Sequence, residues 1–291
     1  MPDPSPLLAS GPAVPLALAA LASAALAAGL LVAALRRALP PGALTSGRDA
    51  RAPRRLGGLA LGPLAALAAT TLSPPLALAL VLLWVAGTGD DWRGLPIWPR
   101  LLAQLVAGAL ALWALGIPVE GAVWTLALLF LVGSTNAANF TDGADLMAVA
   151  YSGVPLAGTG LVAAWAGVEA AVPLALVAGG TMLGHAWHNR PPARVFLGDG
   201  GALPLGLAIG TTVLLLWPAA GALALAPFLA LFADTGLTLL HGIVAGKRVW
   251  EPHRRHLYHR ALDAGVPLSV VLAAVGGTAL LGLGVLAAAL G

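Results

Sequence analysis

The residues able to do chemistry in this 291-residue chain are few, and they are gathered in a handful of segments. Asp90 and Asp91 stand side by side in Gly89-Asp90-Asp91-Trp92-Arg93. Adjacent carboxylates repel, and a divalent cation or a proton relieves the repulsion. A solvated loop with a charge pair to Arg93 is the plainer reading of the same residues. Asn136, Asn139, Asp142 and Asp145 recur every three residues. That spacing lines one face of a helix, or forms a nest of amides and carboxylates in a tight loop. A third segment runs from Asn189 through Pro191-Pro192, Arg194 and Phe196 to Gly198-Asp199-Gly200-Gly201. Its prolines stop a helix. Its glycines let a phosphate come close to the backbone, and Asp199 offers hard oxygen ligands of the kind Mg²⁺ takes. Taken alone, Gly-Asp-Gly-Gly also reads as a plain turn. The fourth segment carries Glu251, His253, Arg254, Arg255, His256, Tyr258, His259 and Arg260. Imidazoles beside guanidiniums suit phosphate binding and proton transfer. Zinc would find no cysteine here and would meet opposing arginines, whereas simple contact with anionic lipid needs only the basic charge. Asp234 stands apart, inside an apolar run and seven residues before His241, which puts the two on one helical face.

Together these segments supply six aspartates (Asp90, Asp91, Asp142, Asp145, Asp199 and Asp234), three asparagines, three clustered histidines and many arginines. The set suits a Mg²⁺-dependent phosphoryl or phosphosugar transfer. A metal needs a few carboxylates and leaves positions open for phosphate oxygens, and the developing charge calls for cations at fixed places. The sequence has no Walker motif, which excludes a P-loop ATPase, and no Gly-x-Ser-x-Gly elbow. It has no cysteine, which excludes thiolate chemistry and disulfides.

What must position these residues is a membrane protein. Apolar residues make up 59% of the chain and charged residues 9%, with a mean hydropathy of +0.91. A soluble domain has about 25% charged residues, so a soluble, disordered or disulfide-stapled protein is excluded. A bilayer core takes about 20 helical residues to cross. Ten apolar stretches are read: Pro15–Leu35, Leu56–Leu72, Pro75–Gly89, Arg100–Leu115, Gly121–Thr135, Leu146–Ala166, Ala170–Trp187, Ala202–Trp217, Gly221–Ala245 and Val266–Leu290. Some are short, as suits helices ending in a protein-lined cavity. The first lacks a basic leader and does not read as a cleaved signal peptide. Arg36 and Arg37 then put its C-terminal end in the cytoplasm. Counting onward, the cytoplasmic segments are 36–55, 90–99, 136–145, 188–201 and 246–265. All 15 Lys and Arg fall in these segments or at their membrane edges, while the external side carries only Asp3, Glu120 and Glu169. The expectation is an all-α polytopic protein, one domain over 1–291, with about ten transmembrane helices, both termini outside and an active site on the cytoplasmic face. The high pI of about 10.2 is then a topology signal rather than a sign of nucleic-acid binding. A membrane setting implies a lipid substrate, and a cytoplasmic site implies a soluble, nucleotide-activated one.

In order along the chain, these motifs resemble the polyprenyl-phosphate N-acetylhexosamine-1-phosphate transferases, of glycosyltransferase family 4 type. The likeness covers nearly the whole chain. It begins at Pro53-Arg54-Arg55-Leu56-Gly57-Gly58, then takes in Asp90-Asp91, Gln104, Asn136-Ala-Ala-Asn139-Phe-Thr-Asp142-Gly143 and Asp145. It continues through Asn189-x-Pro191-x-Ala193, Phe196-Leu-Gly-Asp199, Asp234 and a final His-rich loop. The form Glu251-Pro-His253-Arg-x-His256-x-Tyr258 looks most like the O-antigen-initiating branch. The resemblance implies transfer of a HexNAc-type sugar-1-phosphate from a UDP-activated amino sugar to undecaprenyl phosphate, releasing UMP, in the bacterial inner membrane. It implies Mg²⁺, or Mn²⁺ in its place, and a homodimer. By position it makes Asp199 the principal metal ligand, with Asp90 and Asp91 beside the metal and one of them a candidate base. Asn136, Asn139, Asp142 and Asp145 would form a nucleotide-side and structural network. Asn189 and Phe196 would contact the nucleotide. His253 and His256, with Arg254, would bind the diphosphate or sugar. There are departures: Trp92-Arg93-Gly94 follows the Asp pair where an acidic residue or Lys is usual, Ala202 stands for a serine after Gly201, and His241 stands where Arg is expected. These bear on substrate choice more than on reaction class. Two rivals are a transporter, which would use intramembrane carboxylates and internal repeats, and a prenyltransferase with Asp-rich motifs. Neither predicts UMP release, and the second gives no reason for the histidines.

Overall fold

The computed structural model describes residues 13–39, 44, 54–117, 121–246 and 256–291. Each of the ten apolar stretches coincides with a helix: α1 (Ala13–Ala38), α2 (Gly58–Thr70), α3 (Pro74–Arg93), α4 (Ile97–Ala114), α5 (Gly121–Phe140), α6 (Val154–Ala166), α7 (Val172–Asn189), α8 (Asp199–Ala220), α9 (Leu229–Val244) and, last in the chain, α11 (Leu268–Leu290). Between α9 and α11 lies α10 (Leu257–Asp263), a short helix in a segment read as a loop. Among the described residues, seven segments are long and apolar enough to cross a membrane, and one of these, Asp199–Val244, holds both α8 and α9. The apolar surface points the same way. Leu16, Leu26, Leu126, Leu240, Leu280 and Leu281 lie more than half exposed on the outer faces of their helices, an arrangement that lipid accepts and water does not.

The interior is organised around α8. Nearly every residue from Asp199 to Val213 is buried, so this helix is apolar all round, as a central helix should be. Two close approaches seat it. A side chain at Gly87 would collide with the backbone at Asp199, and one at Gly206 would collide with the backbone of Ser134 and Thr135. Helices α3 and α5 therefore meet α8 backbone to backbone, the kind of packing that small residues permit in a membrane.

Three local features depart from the sequence reading. Arg54–Arg55 and Val195–Phe196 form two short strands, β1 and β2, paired in parallel. The fold remains mainly helical, with one two-residue bridge between segments 36–55 and 188–201. Residues Val149–Gly153 form a π-helical turn before α6. The stretch starting at Gly221 opens as a 3₁₀ segment, Gly221–Phe228, before α9.

Candidate active site

Helix α3 starts at a Ser73 cap whose hydroxyl accepts from the Leu76 N–H, with Pro74 and Pro75 in the first turn, and it ends at Gly94 in left-handed conformation. Its last turn delivers Asp90 and Asp91 to the N-terminus of α8. There the two carboxylates have different work. Asp91 is 3% exposed at its side chain. Its Oδ1 accepts from Arg55 Nη1 at 3.0 Å and from the Asp199 N–H at 3.0 Å, and its Oδ2 accepts from the Gly200 N–H at 2.9 Å. It caps α8 from a neighbouring helix. Asp90 instead turns toward Asp199. Arg100 Nη1 lies 3.0 Å from Asp90 Oδ2 and 2.6 Å from Asp199 Oδ2, bridging the two carboxylates. Asp90 Oδ1 accepts from the Leu95 N–H, which fixes the carboxylate plane.

The next two N–H groups upstream belong to Asp142. Its Oδ1 accepts from Leu197 N–H at 3.1 Å and its Oδ2 from Gly198 N–H at 2.7 Å. Four successive backbone donors, 197 to 200, are thus divided between Asp142 and Asp91. Gly198 has φ +73°, a left-handed conformation that glycine adopts without steric cost. Burial pushes the Asp142 carboxyl up to about 6 although the two N–H donors pull the other way. Burial likewise raises Asp91 against its three hydrogen bonds.

The asparagines hold the frame. Helix α5 carries Asn136 and Asn139 and ends at Phe140, so Asp142 and Asp145 sit in the turn beyond it. Helix and loop readings of the three-residue spacing each describe half of it. Asn136 and the buried Gln104 exchange amide hydrogen bonds. Asn189 accepts from Leu146 N–H at 2.7 Å and donates to the Val195 carbonyl at 2.9 Å. Asp145 accepts from Ala193 N–H at 3.0 Å. Asn139 makes no side-chain hydrogen bond among the described residues and is half-buried beside the site, and Phe196, on β2, is also half-buried.

His253 and Arg254 lie outside the described residues. His256, the residue before α10, has an extended backbone, so it does not share a helical face with His259. It is 3% exposed, and its Nδ1 lies 3.4 Å from Asp234 Oδ1. Asp234 is not paired with His241, which is exposed. It accepts instead from Tyr151 Oη at 2.9 Å, Leu257 N–H at 2.7 Å and Thr238 Oγ1 at 3.3 Å. Tyr258 Oη donates to the Phe140 carbonyl at 2.9 Å, and the His256 ring packs on Phe140 at 5.0 Å between centroids. The deep carboxylate therefore docks the start of α10 over the end of α5.

The structure thus brings Asp90, Asp91, Asp142 and Asp199 into one cluster with Arg55 and Arg100. Sequence reasoning gave the two arginines no place in the site, because basic residues at the membrane edges were read first as a topology signal. Arg100 sits four residues before Gln104, a helical turn that places both on the inner side of α4, and that spacing was the available clue.

The model of glycosyl transferase family 4 matches residues 74–217, a span holding the whole carboxylate cluster. Over this span, just under half of the chain, the sequence is similar to glycosyl transferase family 4. The resemblance read from the motifs holds at the level of that family of polyprenyl-phosphate hexosamine-1-phosphate transferases. Similar proteins named phospho-N-acetylmuramoyl-pentapeptide-transferase include one from Synechococcus sp. (strain RCC307), 32% identical over 200 residues, covering 56% of this chain and 55% of that protein. One from Synechococcus sp. (strain JA-3-3Ab) is 37% identical over 215 residues, covering 62% of each chain. One from Moorella thermoacetica is 40% identical over 124 residues, covering 38% of this chain and 39% of that protein. The chain spans little more than half the length of the first of these relatives. Their names specify a phospho-N-acetylmuramoyl-pentapeptide and lend nothing to the O-antigen branch suggested by the final loop. Asp234 and His256 lie beyond the matched family span.

Proposed function

We propose that the protein is an integral enzyme of the bacterial inner membrane that transfers a sugar-1-phosphate from a UDP-sugar to undecaprenyl phosphate at the cytoplasmic face, releasing UMP. The observation that carries this reading is the convergence of Asp90 and Asp199 on one cationic nitrogen at the buried start of α8, inside the segment matched by the family. Two carboxylates that share a single cation within 3.0 Å have the hard-oxygen chemistry and the spacing of a divalent-ion site. Asp90 and Asp199 would hold Mg²⁺ or Mn²⁺, and the bound ion would neutralise phosphate charge during transfer. Asp91 and Asp142 hold the loop that presents Asp199. An oxygen of the lipid phosphate attacks the sugar-bearing phosphorus, the bond from that phosphorus to the bridging oxygen breaks, and UMP leaves with that oxygen. Asn139 and Phe196 line the nucleotide side, Asn136, Asp145 and Asn189 hold its frame, and His253 with Arg254 receives the diphosphate or sugar, while His256 is held against Asp234.

Two donors are in view. The form of the 251–258 segment favours a HexNAc donor for O-antigen or another envelope polysaccharide. The names of the relatives favour UDP-N-acetylmuramoyl-pentapeptide. Detergent-purified protein given undecaprenyl phosphate, Mg²⁺ and a panel of both donor types should release UMP from one of them. The Asp199→Asn and Asp90→Asn variants should lose this by at least about 100-fold, since each removes a group that bears on the charged transition state. No UMP from any donor, with folded protein and a working control enzyme, would remove the transferase reading. A transporter or prenyltransferase would then move forward.

A further inference from the structure

Arg100 is the residue of the cluster whose role the motifs do not assign. Its Nη1 touches both carboxylates of the candidate ion site, at 3.0 Å and 2.6 Å. Arg100 stands on the first turn of α4, and its side chain is 28% exposed where those of Asp90 and Asp199 are 10% and 11%. The guanidinium therefore reaches inward from the mouth of the site and places one unit of positive charge between two buried negative ones. Arg55, the other cation of the cluster, bonds Asp91 and, among the described residues, forms no ion pair with Asp90 or Asp199. No other Lys or Arg side chain among the described residues forms an ion pair with that carboxylate pair.

We propose that Arg100 is an internal counter-ion that competes with the divalent cation for Asp90 and Asp199. The proposal rests on the ion-site reading given above. Two like charges this close cannot both stay ionised in a buried site without a cation. In the ion-free protein the guanidinium supplies it, bonded to one oxygen of each carboxylate. Entry of the ion displaces the guanidinium toward the mouth, where it stays tethered on α4. Arg100 thus lowers the affinity for metal in the resting protein and couples metal entry to the release of a cation at the substrate entrance.

Two measurements test this without using turnover. The first is Mn²⁺ titration of the purified full chain in detergent, followed by the electron-spin signal of free Mn²⁺, for wild type and Arg100→Gln. Removing the competing charge should tighten Mn²⁺ binding by about tenfold or more, equivalent to about 1.4 kcal/mol. Equal or weaker binding in R100Q, or no binding by either protein, overturns the proposal. The second uses wild type alone, so it survives a variant that fails to fold. Phenylglyoxal modification at Arg100, read by peptide mass spectrometry, should rise when Mg²⁺ replaces EDTA, because the ion frees the guanidinium. Unchanged or reduced labelling at Arg100, with Arg93 as an internal reference, overturns the proposal. UMP release is scored separately. A protein that binds Mn²⁺ as expected but transfers nothing sinks the transferase reading and leaves the counter-ion standing.

Discussion

Asp91 and Asp90 are neighbours in sequence and differ in function because one residue step on the last turn of α3 rotates them by about 100°. Asp91 is consumed by three donors, two of them at the start of α8, and is better placed to position the loop than to bind an ion. The Asp91→Asn variant keeps one oxygen acceptor and turns an amide N–H₂ toward N–H donors. It should lose about 1–2 kcal/mol of stability, the usual cost of a lost cap, seen as a lower thermal midpoint. UMP release should fall at least about tenfold with the loss of loop alignment. Its Mn²⁺ affinity should stay within about threefold of wild type, whereas Asp199→Asn should abolish binding. If Asp91→Asn loses Mn²⁺ binding as completely as Asp199→Asn, Asp91 is a ligand after all. At a distance from the cluster, Tyr151→Phe removes one of the donors to Asp234 and should cost about 1 kcal/mol, with the deficit appearing as increased protease cleavage around α10. Residue identities were the most legible level of this molecule. Every clustered carboxylate announced itself by type and spacing. Arg55 and Arg100 did not, since a basic residue at a membrane edge has the same sequence signature whether it orients a helix or neutralises a site.

The elements that matter are the three that meet at residues 197–200. Gly87→Ala would push α3 off the backbone at Asp199. The clash falls on backbone, which yields less readily than a side-chain tip, so overpacking should cost about 1–3 kcal/mol and UMP release should fall by at least about tenfold, with the drop in kcat. Gly94→Ala lies two turns further on, with open space around it, and should leave the site geometry alone despite its backbone strain. The loop also has a pH signature. Asp142 titrates near 6 when folded and near 3.9 when unfolded, so the folded chain takes up a proton as pH falls through that window. Stability from this group therefore rises on going from about pH 6 to 4 and is lost on going back up. Activity should run the opposite way. A protonated Asp142 has an O–H where an N–H donor needs an acceptor, which loosens Leu197 or Gly198. UMP release should fall on the acid side with a midpoint near 6, and Asp142→Asn should sit near the low-pH level and show no such limb. A limb that persists unchanged in Asp142→Asn assigns it to another group. At this scale the sequence was only partly readable. The ten helices followed from apolar length. The β1–β2 bridge did not, because two-residue strands carry no period, and the π-helical and 3₁₀ turns were hidden because Leu-Ala-Gly composition is the same in all three helix types.

At the scale of the whole molecule the fold puts its chemistry at one end of a helical bundle. The asymmetry of Lys and Arg that orients the chain also picks out that end. The absence of cysteine makes this orientation directly testable. A single Thr71→Cys, between α2 and α3, should react with a membrane-impermeant maleimide in intact spheroplasts. Trp92→Cys, at the end of α3 and largely exposed, should react only after permeabilisation. The reverse pattern would invert the proposed topology. The four backbone donors shared by Asp142 and Asp91 have a consequence for biosynthesis. The loop is translated after both of its anchors have left the ribosome, and it can close only when segments 56 and 109 residues earlier in the chain have already inserted and docked. A chain that mis-threads one helix leaves those donors unmatched and Asp199 undirected. Such a chain would be inert rather than leaky, so catalytic competence doubles as a readout of correct insertion.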